Sequence, residues 1–235
     1  QRDREAHFSG ETETYSNEHR ILCKDGSWKW VLTRGMVISR DAQGLPLRMI
    51  GTHTDISDRK NAEAQVWKQA HYDSLTGLPN RRMLRQRLDA AIQRSLALGQ
   101  ALAILFIDLD HFKEVNDTLG HDSGDLLLVQ AAQRILACVG PDDTVARMGG
   151  DEFVVVLADM ADAADIVQVA QKILAALVEP VEVGLQMLSV STSLGIAVYP
   201  RDGQTADELL QYADTAMYRA KDQGGNALAF FSAEM

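Results

Sequence analysis

Only two cysteines, Cys23 and Cys138, occur in the 235 residues, and neither belongs to a Cys-x-x-Cys pair or stands at ligand spacing from a histidine. That argues against a disulfide framework or a structural zinc site, and both thiols read as reduced, packed side chains in a reducing compartment. Positive charge is in deficit too. With 23 Lys and Arg against 33 Asp and Glu, the formal net charge is −10 and the pI is about 5.0. Binding a polyanion by counter-ion release needs clustered basic residues, so nucleic acid is not an expected partner. Long apolar runs are missing: ALAILFI, from Ala101, falls far below the ~18 residues of a membrane span, and no charged, apolar, small-residue leader opens the chain. The expected setting is the cytoplasm, and a tether to the inner membrane would have to come from regions outside these residues. His53, His71, His111 and His121 share no metal spacing with Cys or acids, and none is assigned a ligand role.

What remains is an ordinary globular composition, 46% hydrophobic and 24% charged, in a chain long enough for one to two domains. From about Glu18 to Asp55 it reads as an antiparallel meander of three strands. Trp28, Trp30 and Leu32 alternate with Lys29 and Val31, and turn signals stand at Lys24-Asp25-Gly26 and Asp41-Ala42-Gln43-Gly44. So small a sheet needs a packing partner. From Ser57 to His71 the chain is polar and helix-forming, with Ala62, Val66 and Ala70 four residues apart, and Pro79 is placed to open a further helix through about Leu98.

Beyond Gly99, strands alternate with helices. ALAILFIDL reads as a strand buried on both faces, and DLLLVQAAQRILACV and ADIVQVAQKILAAL as amphipathic helices. DTVARM and DEFVVVL form a hairpin about a Gly149-Gly150 turn, and LSVSTSLGIAV is a strand with Ser and Thr alternating on one face. Thr205 with Glu208 is a capping box at the head of a last helix. The order implies an α/β or α+β sandwich around one central sheet.

Two carboxylate clusters carry the chemistry. Asp108 and Asp110 end a buried strand, and Asp151 and Glu152 follow the glycine turn. Unpaired carboxylates at the ends of apolar strands cost several kcal/mol, roughly, unless a cation sits between them. Mg²⁺ suits such a place, because it favours one or two carboxylates plus water and phosphate oxygens. Solvated strand ends are the plainer alternative. A glycine turn beside acids also leaves backbone N–H groups open to a phosphate or sugar.

Arg147-Met148-Gly149-Gly150-Asp151-Glu152-Phe153 matches the motif of the GGDEF family of diguanylate cyclases. Asp73-Ser74-Leu75-Thr76-Gly77-Leu78-Pro79-Asn80-Arg81, FIDLDHFKEVNDTLGHDSGD from Phe106 to Asp125, and MYRAK from Met217 to Lys221 follow the family's order. The resemblance covers about Asp73 to the C-terminus. The front part, with KDGSWKWV and GTHTDISDRK, resembles the last strands and exit linker of a PAS domain. The implied division is residues 1–57 as the C-terminal part of a PAS domain, 58–72 as a helical linker and 73–235 as the GGDEF domain.

The resemblance implies an α+β fold like that of nucleotidyl cyclases and polymerase palms, a central sheet flanked by helices and preceded by the partial antiparallel PAS sheet. It also implies condensation of two GTP into cyclic di-GMP across a homodimer, with Mg²⁺ or Mn²⁺. On this resemblance Asp108, Asp151, Glu152 and the Leu109 carbonyl hold metal, and Asp151 helps take the proton from the 3′-hydroxyl. Asn116 and Asp125 read guanine, Phe112 lies near the nucleotide, Gly149 and Gly150 admit it, and Lys113 and Lys221 contact phosphates.

Plainer roles stand beside these: a turn residue for Asn116, a helix N-cap for Asp125, core for Phe112, and a helix C-terminal cation for Lys221. Two positions depart from the family. Gly225 stands where an Arg commonly precedes the closing Asn, and Gly140 where the family's product-binding Arg-x-x-Asp element has its Arg, with Asp143 in place. Two other readings stay open: a GTP-binding regulatory module without turnover that controls an attached domain, and a PAS-type sensor or dimerisation module. The ending ALAFFSAEM is one that in the family often leads into an EAL phosphodiesterase domain.

Overall fold

Residues 2–160, 162–183 and 186–235 are described by the computed structural model. They fall into two compact units, Gln1–Lys68 and Gln69–Met235. The first opens with helix α1 (Arg2–Ser9), which lies ahead of the stretch read as strands, followed by strands β1 (Tyr15–Leu22), β2 (Trp28–Arg40) and β3 (Pro46–Asp55). The strands form the expected antiparallel meander in the order β1-β2-β3. His7 fastens α1 to it: the ring accepts the Val37 N–H at Nε2 (3.0 Å) and meets the Thr12 carbonyl at Nδ1 (2.8 Å), which fixes the proton on Nδ1. Arg40 donates to the carbonyls of His7 and Phe8 at the end of the same helix.

The alternating tryptophan face is not the buried one. Trp28 is 61% exposed, whereas Val31, from the opposite set, is 4% exposed. Cations cover the aromatic side in place of a core: Arg20 lies 5.6 and 5.9 Å from the Trp28 and Trp30 ring centres, and Lys60 5.4 Å from Trp30. Helix α2 (Ser57–His71) leads into the second unit.

That unit runs α3 (Arg81–Leu98), β4 (Ala101–Leu109), α4 (Phe112–Leu119), α5 (His121–Leu136), β5 (Thr144–Gly149), β6 (Glu152–Met160), α6 (Ala163–Val178), β7 (Val181–Val183), β8 (Gln186–Leu188), β9 (Thr192–Tyr199), α7 (Ala206–Asp222) and β10 (Leu228–Phe230). Five strands make a mixed sheet in the order β10-β9-β4-β6-β5, while β7 and β8 pair separately. Strand β4 is antiparallel to both β6 and β9, and β10 runs parallel to β9.

Strand β4 is apolar throughout because both its faces are covered. Leu102, Ile104 and Phe106 pack with Leu84 and Leu88 of α3 and Leu209 and Met217 of α7. Ala103, Leu105 and Ile107 pack with Leu128 and Ile135 of α5 and Ile166 and Ile173 of α6. The even-numbered positions, Asp108 among them, thus point to the α3/α7 side.

Pro79 does not open α3. The N-cap is Asn80, whose side chain accepts the Met83 N–H, and Pro79 precedes it in an isolated bridge to Tyr72. The capping box of Thr205 and Glu208 at α7 is formed in both directions. Both cysteines are free, and burial pushes the Cys138 thiol up from its usual range.

Candidate active site

Strand register assembles the acids. Asp108 lies directly opposite Glu152 on β6 and opposite Ser193 on β9, and the Leu109 N–H donates to the Asp151 carbonyl at 3.4 Å. The turn between β5 and β6 is Gly150-Asp151, not Gly149-Gly150, because Gly149 is itself paired with Glu152 after a bulge beyond Arg147. Gly149 and Gly150 have φ of +142° and +53°, which glycine alone adopts without strain, and a Cβ at either would meet nothing within 4 Å. The turn therefore presents Asp151 beside open space where glycine leaves out a side chain.

Asp108 is 6% exposed. Its Oδ1 stands 2.6 Å from Lys221 Nζ of α7, an ion pair whose angle leaves the oxygen without a well-directed hydrogen bond. Burial raises the Asp108 carboxyl above its ordinary range, Lys221 opposes the shift, and Asp151 and Asp110 reinforce it. Burial works to lower the Lys221 ammonium, but the pair with Asp108 and the fields of Asp151 and Asp110 raise it on balance. Burial also raises Glu152, helped by Asp214, Asp108 and Asp151 and opposed by Arg81. A buried, underbonded carboxylate oxygen beside further acids fits a hard divalent cation. Among the described residues no group of three or more His, Cys, Asp or Glu is arranged to hold a metal ion by itself, so phosphate oxygens and water would have to complete the coordination.

Asp110 differs from Asp108. Though 7% exposed, its Oδ1 accepts the Ser193 hydroxyl at 2.7 Å, and its Oδ2 accepts the Ser191 hydroxyl at 2.7 Å and the Asn226 N–H at 3.1 Å. The expectation that a cation is needed beside both strand-end acids thus fails for Asp110. The alternating serines before and within β9 serve this carboxylate.

Asn116 belongs to helix α4 and is not a turn residue, and Asp125 lies inside α5, whose N-cap is Gly120. Gly124 lets α4 and α5 meet: a Cβ there would lie 2.0 Å from Asn116 Oδ1 and 3.1 Å from Phe112 Cζ. Asn116 and Phe112 therefore abut the residue next to Asp125, which is exposed, as is Lys113. Gly124 escaped the sequence reading, although a glycine within a helical pattern is the signal of such an approach. A cleft of about 970 Å³ opens between α3 and α7, lined among others by Arg81, Arg82, Phe106, Met148, Glu152 and Asp214. Of the predicted residues only Glu152 reaches it. Asp214, also raised by burial against the pull of Lys221, had no role in the sequence reading.

Comparison with known families places this geometry. The model for the diguanylate cyclase GGDEF domain matches residues 70–227. The chain belongs to the GGDEF family. A PAS fold model matches residues 1–53, where the antiparallel meander lies. The chain is 46% identical over 174 residues to a bifunctional diguanylate cyclase/cyclic di-GMP phosphodiesterase, MucR of Pseudomonas aeruginosa, a match covering 74% of this chain and 25% of that protein. It is 45% identical over 165 residues to the diguanylate cyclase TpbB of the same species, covering 70% of this chain and 38% of TpbB. The solved GGDEF domain of TpbB superposes with a TM-score of 0.68 at 44% identity, covering 69% of this chain and 95% of that one. The chain thus spans only a minor part of each of these two full-length relatives.

Within the GGDEF domain, Arg147 secures the signature turn. Its guanidinium donates to the Gly150 carbonyl from Nε (3.0 Å) and Nη2 (2.7 Å), and from Nη1 to both oxygens of Asp73 (3.0 and 3.1 Å). Asp73 in turn accepts the Thr76 N–H and hydroxyl. Burial works to raise Asp73, but the Thr76 and Arg147 hydrogen bonds hold it below the usual carboxylate range. At the other end of β5, Asp143 accepts the Gly140 N–H at 2.8 Å and the Ala158 N–H at 3.0 Å. Its carboxylate is engaged by its own backbone, and Arg147 is committed to Asp73 and Gly150.

Proposed function

We propose that this GGDEF domain condenses two GTP into cyclic di-GMP with release of two pyrophosphates, acting as a homodimer with Mg²⁺ or Mn²⁺. The observation that carries the reading is the alignment of Asp108, Glu152 and the Gly150-Asp151 turn at one end of the sheet, with Lys221 on Asp108. Asp108, Asp151, Glu152 and the Leu109 carbonyl would hold the metal, which supplies charge neutralisation at phosphate and a lowered pKa at the 3′-hydroxyl. Asp151 accepts the 3′-hydroxyl proton from its half-buried place on the turn. Asn116 and Asp125 hold the guanine edge, where a carboxylate accepts two N–H groups that adenine lacks. Phe112 and Gly124 keep those two side chains on adjoining helices, and Gly149 and Gly150 leave room for the nucleotide. Lys113 and Lys221 meet the phosphates. Each protomer presents one nucleotide, so the two must face each other before either bond forms.

We also propose the division into residues 1–57 from a PAS domain, 58–72 as a helical linker and 73–235 as the cyclase domain. Incubation with GTP and Mg²⁺ followed by chromatography tests the activity, with Asp151→Ala as control. Cyclic di-GMP from the parent chain and none from the variant is the expected result, and equal yields from both would refute the assignment of Asp151.

Gly225 favours a second reading, a GTP-binding module of low turnover that regulates an attached EAL-type domain. It supplies no side chain, and the N–H groups of Gly224, Gly225 and Asn226 are all spent on Lys221, Ala220 and Asp110. GTP binding without cyclic product would favour that module.

A further inference from the structure

Two segments converge on one carboxylate at the end of β4. Asp110 takes the Ser191 and Ser193 hydroxyls from the entry of β9 and the Asn226 N–H from the loop after α7, while its own N–H donates to the Ser191 carbonyl at 2.9 Å. The loop is pressed against it: a Cβ on Gly225, at φ +72°, would lie 2.9 Å from Asp110 Oδ2 and 3.2 Å from its Cγ. From there the chain runs back without slack to α7, through Gly225 N–H to the Ala220 carbonyl and Gly224 N–H to the Lys221 carbonyl. Forward of the clasp, the Leu194 N–H donates to the Ala227 carbonyl and β10 begins. Two positions before Asp110, on β4, Asp108 meets Lys221 itself.

We propose that Asp110 is a positioning residue: its carboxylate clamps the Gly224–Asn226 loop to β4 and β9, and so holds the end of α7 where Lys221 meets Asp108 and a nucleotide phosphate. The proposal rests on the phosphate role given to Lys221 above. Three directed donors leave Asp110 without the open oxygen that Asp108 has, so its charge is consumed within the clasp. The loop accepts glycine at 225 because the carboxylate fills the space a side chain would need, and the phosphate contact falls to Lys221 with no help from position 225.

The chemistry of the clasp separates this role from direct ligation. In Asp110→Asn the amide oxygen can keep Ser191 and the Asn226 N–H, and the amide nitrogen can face Ser193, whose hydroxyl turns to accept. That variant is expected to stay within about threefold of the parent in both kcat and KM, whereas Asp110→Ala, which loses all three partners, raises the KM for GTP about tenfold with a smaller change in kcat. Because Asp110 acts through Lys221, adding Asp110→Ala to Lys221→Ala should cost no more than about twofold beyond Lys221→Ala alone.

If Asp110→Ala fails to fold, Ser191→Ala with Ser193→Ala opens the clasp with the carboxylate in place and should give the same KM shift. A loss in Asp110→Asn as deep as in Asp108→Asn overturns the proposal, since the charge would then be used directly. Multiplying effects of Asp110→Ala and Lys221→Ala, or an unshifted KM in the serine pair, overturn it as well. Should the parent bind Mg²⁺-GTP without turnover, the activity proposed above fails, and the same cycle read in GTP affinity by calorimetry decides this one. A parent that neither binds nor converts GTP refutes both.

Discussion

Asp214 sits in the α3/α7 cleft near Glu152, and burial raises its carboxyl while Lys221 pulls the other way. In the window between the ordinary carboxylate value and the raised one, the folded chain keeps a proton that the unfolded chain has lost. Stability therefore falls as pH rises through that window. Asp214→Asn removes the penalty, so in metal-free buffer at pH 7 its Tm should exceed the parent's by roughly a few degrees, and the gap should close below about pH 4. Thermal melts at the two pH values check this, and a gap that widens in acid would contradict the sign. The same residue marks a limit of sequence reading. Asp108, Asp151 and Glu152 were legible because motif and strand end coincide, whereas Asp214 carries no local signal and becomes interesting only when α7 is laid against the sheet. Asp110 was legible as an unusual strand-end acid but not as a satisfied one, since Ser191, Ser193 and Asn226 lie far along the chain.

Elements were easier to read than their joints. Strand β4 and helices α5, α6 and α7 follow from apolar runs and caps, but the turn was displaced by one residue because a bulge after Arg147 draws Gly149 into the ladder. Helix α4 was missed: it is one short segment inside a motif, entered through His111 at φ +59° without a side-chain cap. Gly195 shows what holds α7 in place. A Cβ there would stand 2.0 Å from the Ala213 carbonyl oxygen and 2.1 Å from the Met217 nitrogen, both backbone atoms that cannot step aside. Gly195→Ala should push α7 from β9 and cost roughly 3 kcal/mol or more, read from urea unfolding midpoints. Arg147→Ala should act differently, leaving secondary structure intact while freeing Gly150 and the partly buried Asp73, at a cost of about 2 kcal/mol and a steep loss of cyclase rate. Unchanged rates in that variant would show that the turn holds its shape without the guanidinium.

At the scale of the whole molecule, the N-terminal unit has few buried residues among those described, chiefly His7, Val31 and Ile56, and the GGDEF domain lies in the second unit. The cyclic di-GMP-binding element of the second unit is where this chain departs most from what its resemblance implies. Position 140 offers no guanidinium, Asp143 is occupied by Gly140 and Ala158, and Arg147 faces Asp73 and Gly150. Losing one charge-assisted contact weakens binding about tenfold or more. Calorimetric titration of cyclic di-GMP into Asp151→Ala protein should therefore show no submicromolar site, and initial rates should not fall non-competitively with added product. Tight binding with matching inhibition would mean that another group grips the product.

The occupied Asp143 carboxylate has a consequence for signalling. A synthase throttled by its product behaves as a thermostat, settling at a level fixed by its own affinity. One whose sensor contact is closed upon itself sets a flux instead, and on this reading the steady level of messenger would be decided by GTP supply and by whatever degrades it.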